Sequence, residues 1–313
     1  MKANEEVVVV NAALQDAPRP TRSVAPFALP EIREVLFPTD LSSPSTLAFD
    51  HARELADRFG ARLTLYHVVE TARKEAAPRP ADPELEVLRR MEEAAREWLE
   101  ARAEGLRVRR RIFVERRPSA SRALLAFAEW SRPDLVVMAT HGRHGLAHVF
   151  MGSVTENVLE NARLPVLCIR PSAHGEPLPY RRILVPTDLS AASRRAFPLA
   201  SLLARAYGAE VVALHVAAYP AISSLSGVPE LIEEVLPDEE AVRRFVAPDF
   251  GRLPLTAKVA IGGPCEQIVH AARVERADCI VMATRGRDSL HDRVLGTHAE
   301  RVIRSAPCPV LAL

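Results

Sequence analysis

Short, mostly apolar runs alternate with stretches in which apolar positions recur every third or fourth residue, and the series occurs twice along the 313-residue chain. In the first copy the runs lie at 35–37, 63–69, 108–114, 135–138 and 164–169. Their Val, Ile and Leu content predicts strands, most of them buried on both faces. Ala48, Ala52, Leu55 and Phe59 keep helical spacing, with Ser43 and Pro44 as cap and first-turn residues and Gly60 as the stop. In the second copy the runs lie at 183–185, 211–217, 255–261, 279–282 and 308–313, and Ala196, Ala200, Leu203 and Tyr207 repeat the first helix before Gly208. Further helices are predicted over 119–130 and 265–274, and from 153 and 297 onward. The copies differ after their second strand. There the first has a helical pattern over 82–104 with Leu85, Leu88, Met91, Ala95, Trp98 and Leu99 as a buried stripe. The second is broken by Pro220, Pro229, Pro237, Pro248 and Pro254 into short helices over 230–235 and 239–246.

Such alternation predicts an α/β fold in which each half is an open parallel sheet of five strands with helices on both faces, in the order 3-2-1-4-5. The halves are expected over 31–172 and 181–313, with a linker over 173–180 and a flexible extension over 1–30 that carries Pro18, Pro20, Pro26 and Pro30. Duplication is most evident where Val35-Leu36-Phe37-Pro38-Thr39-Asp40-Leu41-Ser42 returns as Ile183-Leu184-Val185-Pro186-Thr187-Asp188-Leu189-Ser190, an offset of 148 residues.

A second repeated stretch holds candidate chemistry. Ala139-Thr140-His141-Gly142, nine residues and Gly152-Ser153 return as Ala283-Thr284-Arg285-Gly286, nine residues and Gly296-Thr297. Each follows a strand and opens a helix whose start reads as a capping box, Ser153 with Glu156 and Thr297 with Glu300. Strand, glycine loop and helix start in succession aim backbone amides and the positive end of a helix dipole at one spot, a setting for phosphate; the plainer alternative is a well-capped turn. In a sheet of this order, ligands sit where the strand order reverses, between the ends of the first and fourth strands. That crevice joins Asp40 or Asp188 to the glycine loop. Either aspartate can instead cap the turn after its strand. His67 and His215, inside apolar strands, read as hydrogen-bonded structural residues. His141, His144 and His148 have metal-like spacing, but the second copy places Arg285, Asp288 and Asp292 there, so no shared metal site is expected. Arg143, Arg285 and Arg287 are candidates for steering phosphate.

The near-neutral balance, net +1, lacks the basic footprint of a nucleic-acid binder, and Arg107 to Arg111 reads as a solvated strand face. No apolar run reaches membrane-spanning length. Cys168, Cys265, Cys279 and Cys308 show no metal-type pairing and read as buried free thiols, which with the rest suggests a cytoplasmic protein.

The Pro-Thr-Asp strand ends, the Leu-x-His-Val second strands, the Gly-x9-Gly-(Ser/Thr) loops and the closing Pro-Val-Leu strands resemble a tandem universal stress protein, over nearly all of 31–313. The resemblance implies two Rossmann-like domains of the adenine nucleotide alpha hydrolase-like type. It also implies ATP, with magnesium or manganese as an accompanying ion, across the crevice. Pro38, Thr39, Asp40 and Val68 would surround adenine and ribose, and Gly142, Gly152, Ser153, Val154 and Thr155 the phosphates. In the second half the matching positions are Pro186, Thr187, Asp188, Val216, Gly286, Gly296, Thr297, His298 and Ala299. The family's first glycine is replaced by Ala139 and Ala283, which adds a methyl beside the ribose in each site. The family's closing strands pair between subunits, so the tandem chain would be a pseudo-dimer of its own halves, with a homodimer as a further level.

Three functions compete. A nucleotide-dependent stress regulator or sensor is favoured by the retained glycines and hydroxyls. A slow ATPase lacks a P-loop, a lysine in either glycine loop and a repeated general base. A nucleotide-free dimerisation scaffold would tolerate loss of the loop pattern, which both halves keep.

Overall fold

The computed structural model describes residues 31–71, 83–140, 151–161, 164–170, 178–217, 237–284 and 296–313. The extension expected over 1–30 and the short helix expected over 230–235 lie outside them. Two compact units divide the chain, Met1–Pro171 and Ser172–Leu313.

In the first unit, β1 (Glu34–Pro38), β2 (Arg62–Glu70), β3 (Arg110–Arg117), β4 (Leu135–Ala139) and β5 (Val166–Ile169) are parallel, in the order β3-β2-β1-β4-β5. They alternate with α1 (Ser43–Phe59), α2 (Pro83–Ala103), α3 (Ala120–Ser131) and α4 (Ser153–Asn161). The second unit repeats the order with β6 (Arg182–Thr187), β7 (Glu210–Ala217), β8 (Leu255–Ile261), β9 (Cys279–Met282) and β10 (Val310–Ala312), as β8-β7-β6-β9-β10. Its helices are α5 (Phe197–Tyr207), α6 (Glu239–Phe250), α7 (Pro264–Val274) and α8 (Thr297–Ser305). Both units have the expected reversal of strand order beside their first strand.

The middles of the central strands are apolar because both faces are covered. Val35, Leu36 and Phe37, like Ile183, Leu184 and Val185, are fully buried. On β3, Phe113 meets Phe127 and Trp130 of α3, whereas Arg116, of opposite parity, pairs with Glu92 of α2. Alternation along a strand therefore puts α2 and α3 on opposite faces.

Several boundaries differ from the periodicity. Ser42, not Ser43, occupies the cap of α1. The expected strand over 108–114 becomes β3 (Arg110–Arg117), set by its ladder to β2, in which Leu63 faces Arg110. The closing strands begin only after Pro165 and Pro309, residues without an amide to give a ladder. A 3-10 turn, Ser193–Ala196, precedes α5, and Pro198 in the first helical turn explains the late start, since it has no donor for the preceding turn. Helix α6 runs past the expected end at 246 to Phe250, with Pro248 inside its last turn.

One aspartate per unit ties the first strand to the fourth. Asp134 Oδ2 accepts from the Arg33 and Glu34 amides at 2.8 and 2.9 Å. Asp278 Oδ2 accepts from Arg181 and Arg182 at 2.7 and 2.8 Å. Hydrogen bonds to a charged acceptor contribute about 1.5–3 kcal/mol each before solvent exposure reduces them. Asp278→Ala is therefore expected to cost about 2 kcal/mol, and Asp278→Asn, which keeps an acceptor oxygen, about half of that. Urea unfolding of the two variants tests this; equal losses would contradict the charged-acceptor account.

Candidate functional site

The strand-one end is built alike in both units. Leu41 and Leu189 adopt left-handed backbone (φ 64° and 60°), unusual for leucine. The threonine and aspartate before each hold that turn. The Leu41 amide donates to Thr39 Oγ1 at 3.0 Å and the Ser42 amide to Asp40 Oδ1 at 3.1 Å. The Leu189 amide donates to Thr187 Oγ1 and the Ser190 amide to Asp188 Oδ1, both at 3.0 Å. Asp40 Oδ1 also accepts from the hydroxyls of Ser42 and Ser45, at 2.6 and 2.7 Å. Both aspartates thus cap the turn. His67 Nδ1 lies 2.8 Å from the Thr39 carbonyl and His215 Nδ1 2.9 Å from that of Thr187. A carbonyl only accepts, so Nδ1 carries the proton in both and each histidine buttresses the same turn.

Strand four and the following helix are also tied together twice. The Thr140 carbonyl accepts from Gly152 at 2.8 Å and the Thr284 carbonyl from Gly296 at 3.1 Å. Thr155 Oγ1 donates to the Ala139 carbonyl at 3.0 Å. The expected capping boxes place Ser153 and Thr297 one position off. Gly152 and Gly296 hold the cap, because their carbonyls accept the first helical bonds, from Glu156 and Glu300, both at 3.0 Å. Ser153 and Thr297 are the first helical residues and both are exposed. Their hydroxyls are thereby left for solvent or ligand, beside first-turn amides that have no acceptor within the helix.

In the first unit these features surround a cavity of about 890 Å³. The end of β1 contributes Pro38, Thr39 and Asp40, β2 contributes Val68, and β4 contributes Ala139. The start of α4 contributes Gly152, Ser153, Val154 and Thr155. Gly142 and Gly286 lie outside the described residues, as do His141, His144, His148, Arg143, Arg285 and Arg287. In the second unit Pro186 and Thr187 end β6, followed by Asp188, while Val216 lies on β7 and Ala283 directly follows β9. Gly296 caps α8, Thr297 and His298 are exposed at its start, and Ala299 is buried.

The helix α2 wall was not legible as part of a site. Met91 was expected in a buried stripe, yet it is 45% exposed and lines the cavity with Ala94, Ala95 and Trp98. Only Ala95 and Leu99 of the expected stripe are buried, together with Ala103 and Glu92 outside it. The available signal was the divergence of the copies in this connection. Tyr66 lines the same cavity and donates to Glu115; burial first, then the neighbouring carboxylate, hold its hydroxyl well above its usual range. All four cysteines are buried and free, and burial pushes the Cys168 and Cys308 thiols up to about 12, away from thiolate chemistry. Among the described residues, no group of three His, Cys, Asp or Glu is placed to hold a metal, and no helix is long and apolar enough to cross a membrane.

The sequence model of the Universal stress protein family matches residues 31–170 and 179–313. A universal stress protein of Methanocaldococcus jannaschii is 38% identical over 149 residues, 45% of this chain and 85% of its own. One from Mycolicibacterium smegmatis is 27% identical over 300 residues, 89% of this chain and 96% of its own. In fold, the crystal structure of a universal stress protein from Archaeoglobus fulgidus matches with a TM-score of 0.66 over 90% of this chain and 96% of that one, at 19% identity.

Proposed function

Since the chain belongs to the universal stress protein family, we propose that it is a nucleotide-dependent regulator of the stress response whose two halves each bind ATP at the point where strand order reverses. The supporting observation is the pairing of two rigid features on one cavity. A turn held by Asp40 and His67 faces a helix start capped by Gly152 and clear of side-chain capping. First-turn amides at a helix start suit phosphate oxygens. The Thr39 and Asp40 turn, with Val68, supplies a part-polar, part-apolar slot for ribose and base. The same hydrogen bonds recur around Asp188, His215 and Gly296, which favours a second site in the second half. A ligand that binds only the folded form stabilises it by mass action, so nucleotide level is coupled to the population of the folded, signalling-competent chain.

Calorimetric titration of the full chain with ATP, in magnesium and in manganese, tests the proposal, together with chromatography of nucleotide released by denaturation. Two adenine nucleotides per chain are expected. One would mean that only one half is a site, and none at millimolar ATP would overturn the proposal in favour of a nucleotide-free scaffold.

A further inference from the structure

The first unit's cavity has an apolar wall as well as a polar rim. Its volume of about 890 Å³ lies near the upper end of small-molecule sites, which run from about 300 to 1,000 Å³. Besides the polar Asp40 and Ser153, the lining includes Met91, Ala94 and Trp98 of α2, with Met138 on β4 and Met151 just before α4. Three of the chain's five methionines therefore face one cavity. Thioether side chains are flexible and polarisable, and they fit apolar groups of irregular shape.

The wall continues out of the cavity. Val87, Met91, Ala94 and Trp98 are spaced by four, three and four residues, so they share one face of α2. Val87 is 57% and Met91 45% exposed. Of the polar residues beside this stripe, Glu86 pairs with Arg89 and Arg90, and the Arg102 guanidinium stands over the Trp98 ring, 4.8 Å from its centroid. From Val87 to Trp98 the helix rises about 16 Å. A one-residue-wide stripe of that length on a helix face matches a linear hydrocarbon chain better than a second ring system.

Among the described residues, the second unit shows no equivalent track. Aligning the buried Ala95, Leu99 and Ala103 of α2 with the buried Val242, Val246 and Phe250 of α6, an offset of 147 residues, puts Asp238 in the place of Met91. Asp238 is the cap of α6, its Oδ1 accepting from Ala241 at 2.7 Å, and the helix begins after it. Phe245, in the place of Trp98, packs edge-on against Phe197; a guanidinium stands over the ring at both places, Arg194 over Phe245 and Arg102 over Trp98.

We propose that the first unit takes an adenine nucleotide carrying a long-chain acyl group, with the nucleotide at the polar rim and the chain along Trp98, Met91 and Val87 of α2. This rests on the nucleotide reading above and adds the acyl group to it. Acyl-adenylates and acyl-coenzyme A thioesters share this chemistry. The test is calorimetry on the full chain with two matched pairs: adenosine monophosphate against a non-hydrolysable dodecanoyl-sulfamoyl adenosine, and coenzyme A against dodecanoyl-coenzyme A. In at least one pair the acylated ligand is expected to bind tenfold or more tightly than its parent, one per chain, and the pair that shows the gain identifies the source. Val87→Asp, outside the cavity, is expected to remove at least threefold of that gain with the parent's affinity unchanged, Met91→Asp to abolish it, and Met91→Leu to keep it. No gain in either pair, or a gain that survives Met91→Asp, would overturn the proposal. The two readings separate through the ATP titration. ATP binding without an acyl gain leaves the nucleotide site standing and sinks the acyl track; acyl binding with no ATP binding at millimolar concentration sinks the adenine nucleotide proposal and, with it, this one.

Discussion

Gly296→Ala is expected to destabilise the second unit by about 3 kcal/mol, while the equivalent Gly152→Ala in the first unit costs less than about 1 kcal/mol. Neither glycine has left-handed backbone, so the difference is one of space. A Cβ on Gly296 would stand 2.6 Å from the backbone oxygen of Thr284; on Gly152 it would stand 3.4 Å from that of Thr140. The first distance requires the strand end and the helix start to separate, which stretches the Gly296 to Thr284 hydrogen bond that joins them. At Gly152 a small adjustment is enough. Under the proposed function the same separation misaims the α8 amides. Gly296→Ala should then lower the ATP stoichiometry from two to one, and Gly152→Ala should keep it at two. Urea unfolding and calorimetric titration of both variants check this, and equal effects of the two substitutions would contradict the steric account.

Acid is expected to weaken the fold through His51. This side chain sits on the buried face of α1, with the residue 1% exposed, and burial lowers its pKa from 6.5 to about 4. Above pH 6.5 the imidazole is neutral in folded and unfolded chains alike and contributes no pH dependence. Between pH 6.5 and about 4 the unfolded chain takes up a proton that the folded chain refuses, so stability falls as pH falls. At about 1.4 kcal/mol per pH unit, the loss relative to pH 7 is about 2 kcal/mol at pH 5 and about 3 kcal/mol at pH 4. Comparing urea unfolding at pH 7 and pH 5 in the native chain and in His51→Leu isolates the term. The variant's own change in packing is common to both pH values and cancels. A pH slope unchanged by the substitution would show that carboxylates, not His51, carry the acid sensitivity.

The repeated parts of the molecule were legible because their causes are local. Strand order followed from alternation and from the chirality of crossover connections. The Pro-Thr-Asp-Leu-Ser turn was visible because its threonine and aspartate hold the backbone two residues onward, by hydrogen bonds that depend on nothing distant. The histidines of β2 and β7 read correctly as structural for a similar reason, since a polar ring inside an apolar strand needs a partner close by. The helix caps did not. Ser153 and Glu156 have the spacing of a box, but the choice of Gly152 as cap depends on where the Thr140 carbonyl lies.

The amino-acid sequence by itself determined the duplication, the doubly covered parallel sheets, the family and the two places per half that face each other at the reversal of strand order. These follow from periodicity and from short-range hydrogen bonding, which each segment carries with it. Tertiary structure decided the remainder. Periodicity shows that Met91 belongs to an apolar face, and only the packing of α2 over the strand ends decides that this face borders a cavity. A glycine is the same letter in both halves, and only the direction from which a threonine carbonyl meets it, 2.6 Å from where a Cβ on Gly296 would stand against 3.4 Å at Gly152, makes one of them sterically required. Burial and close approach are properties of elements distant in the chain, so no local pattern encodes them.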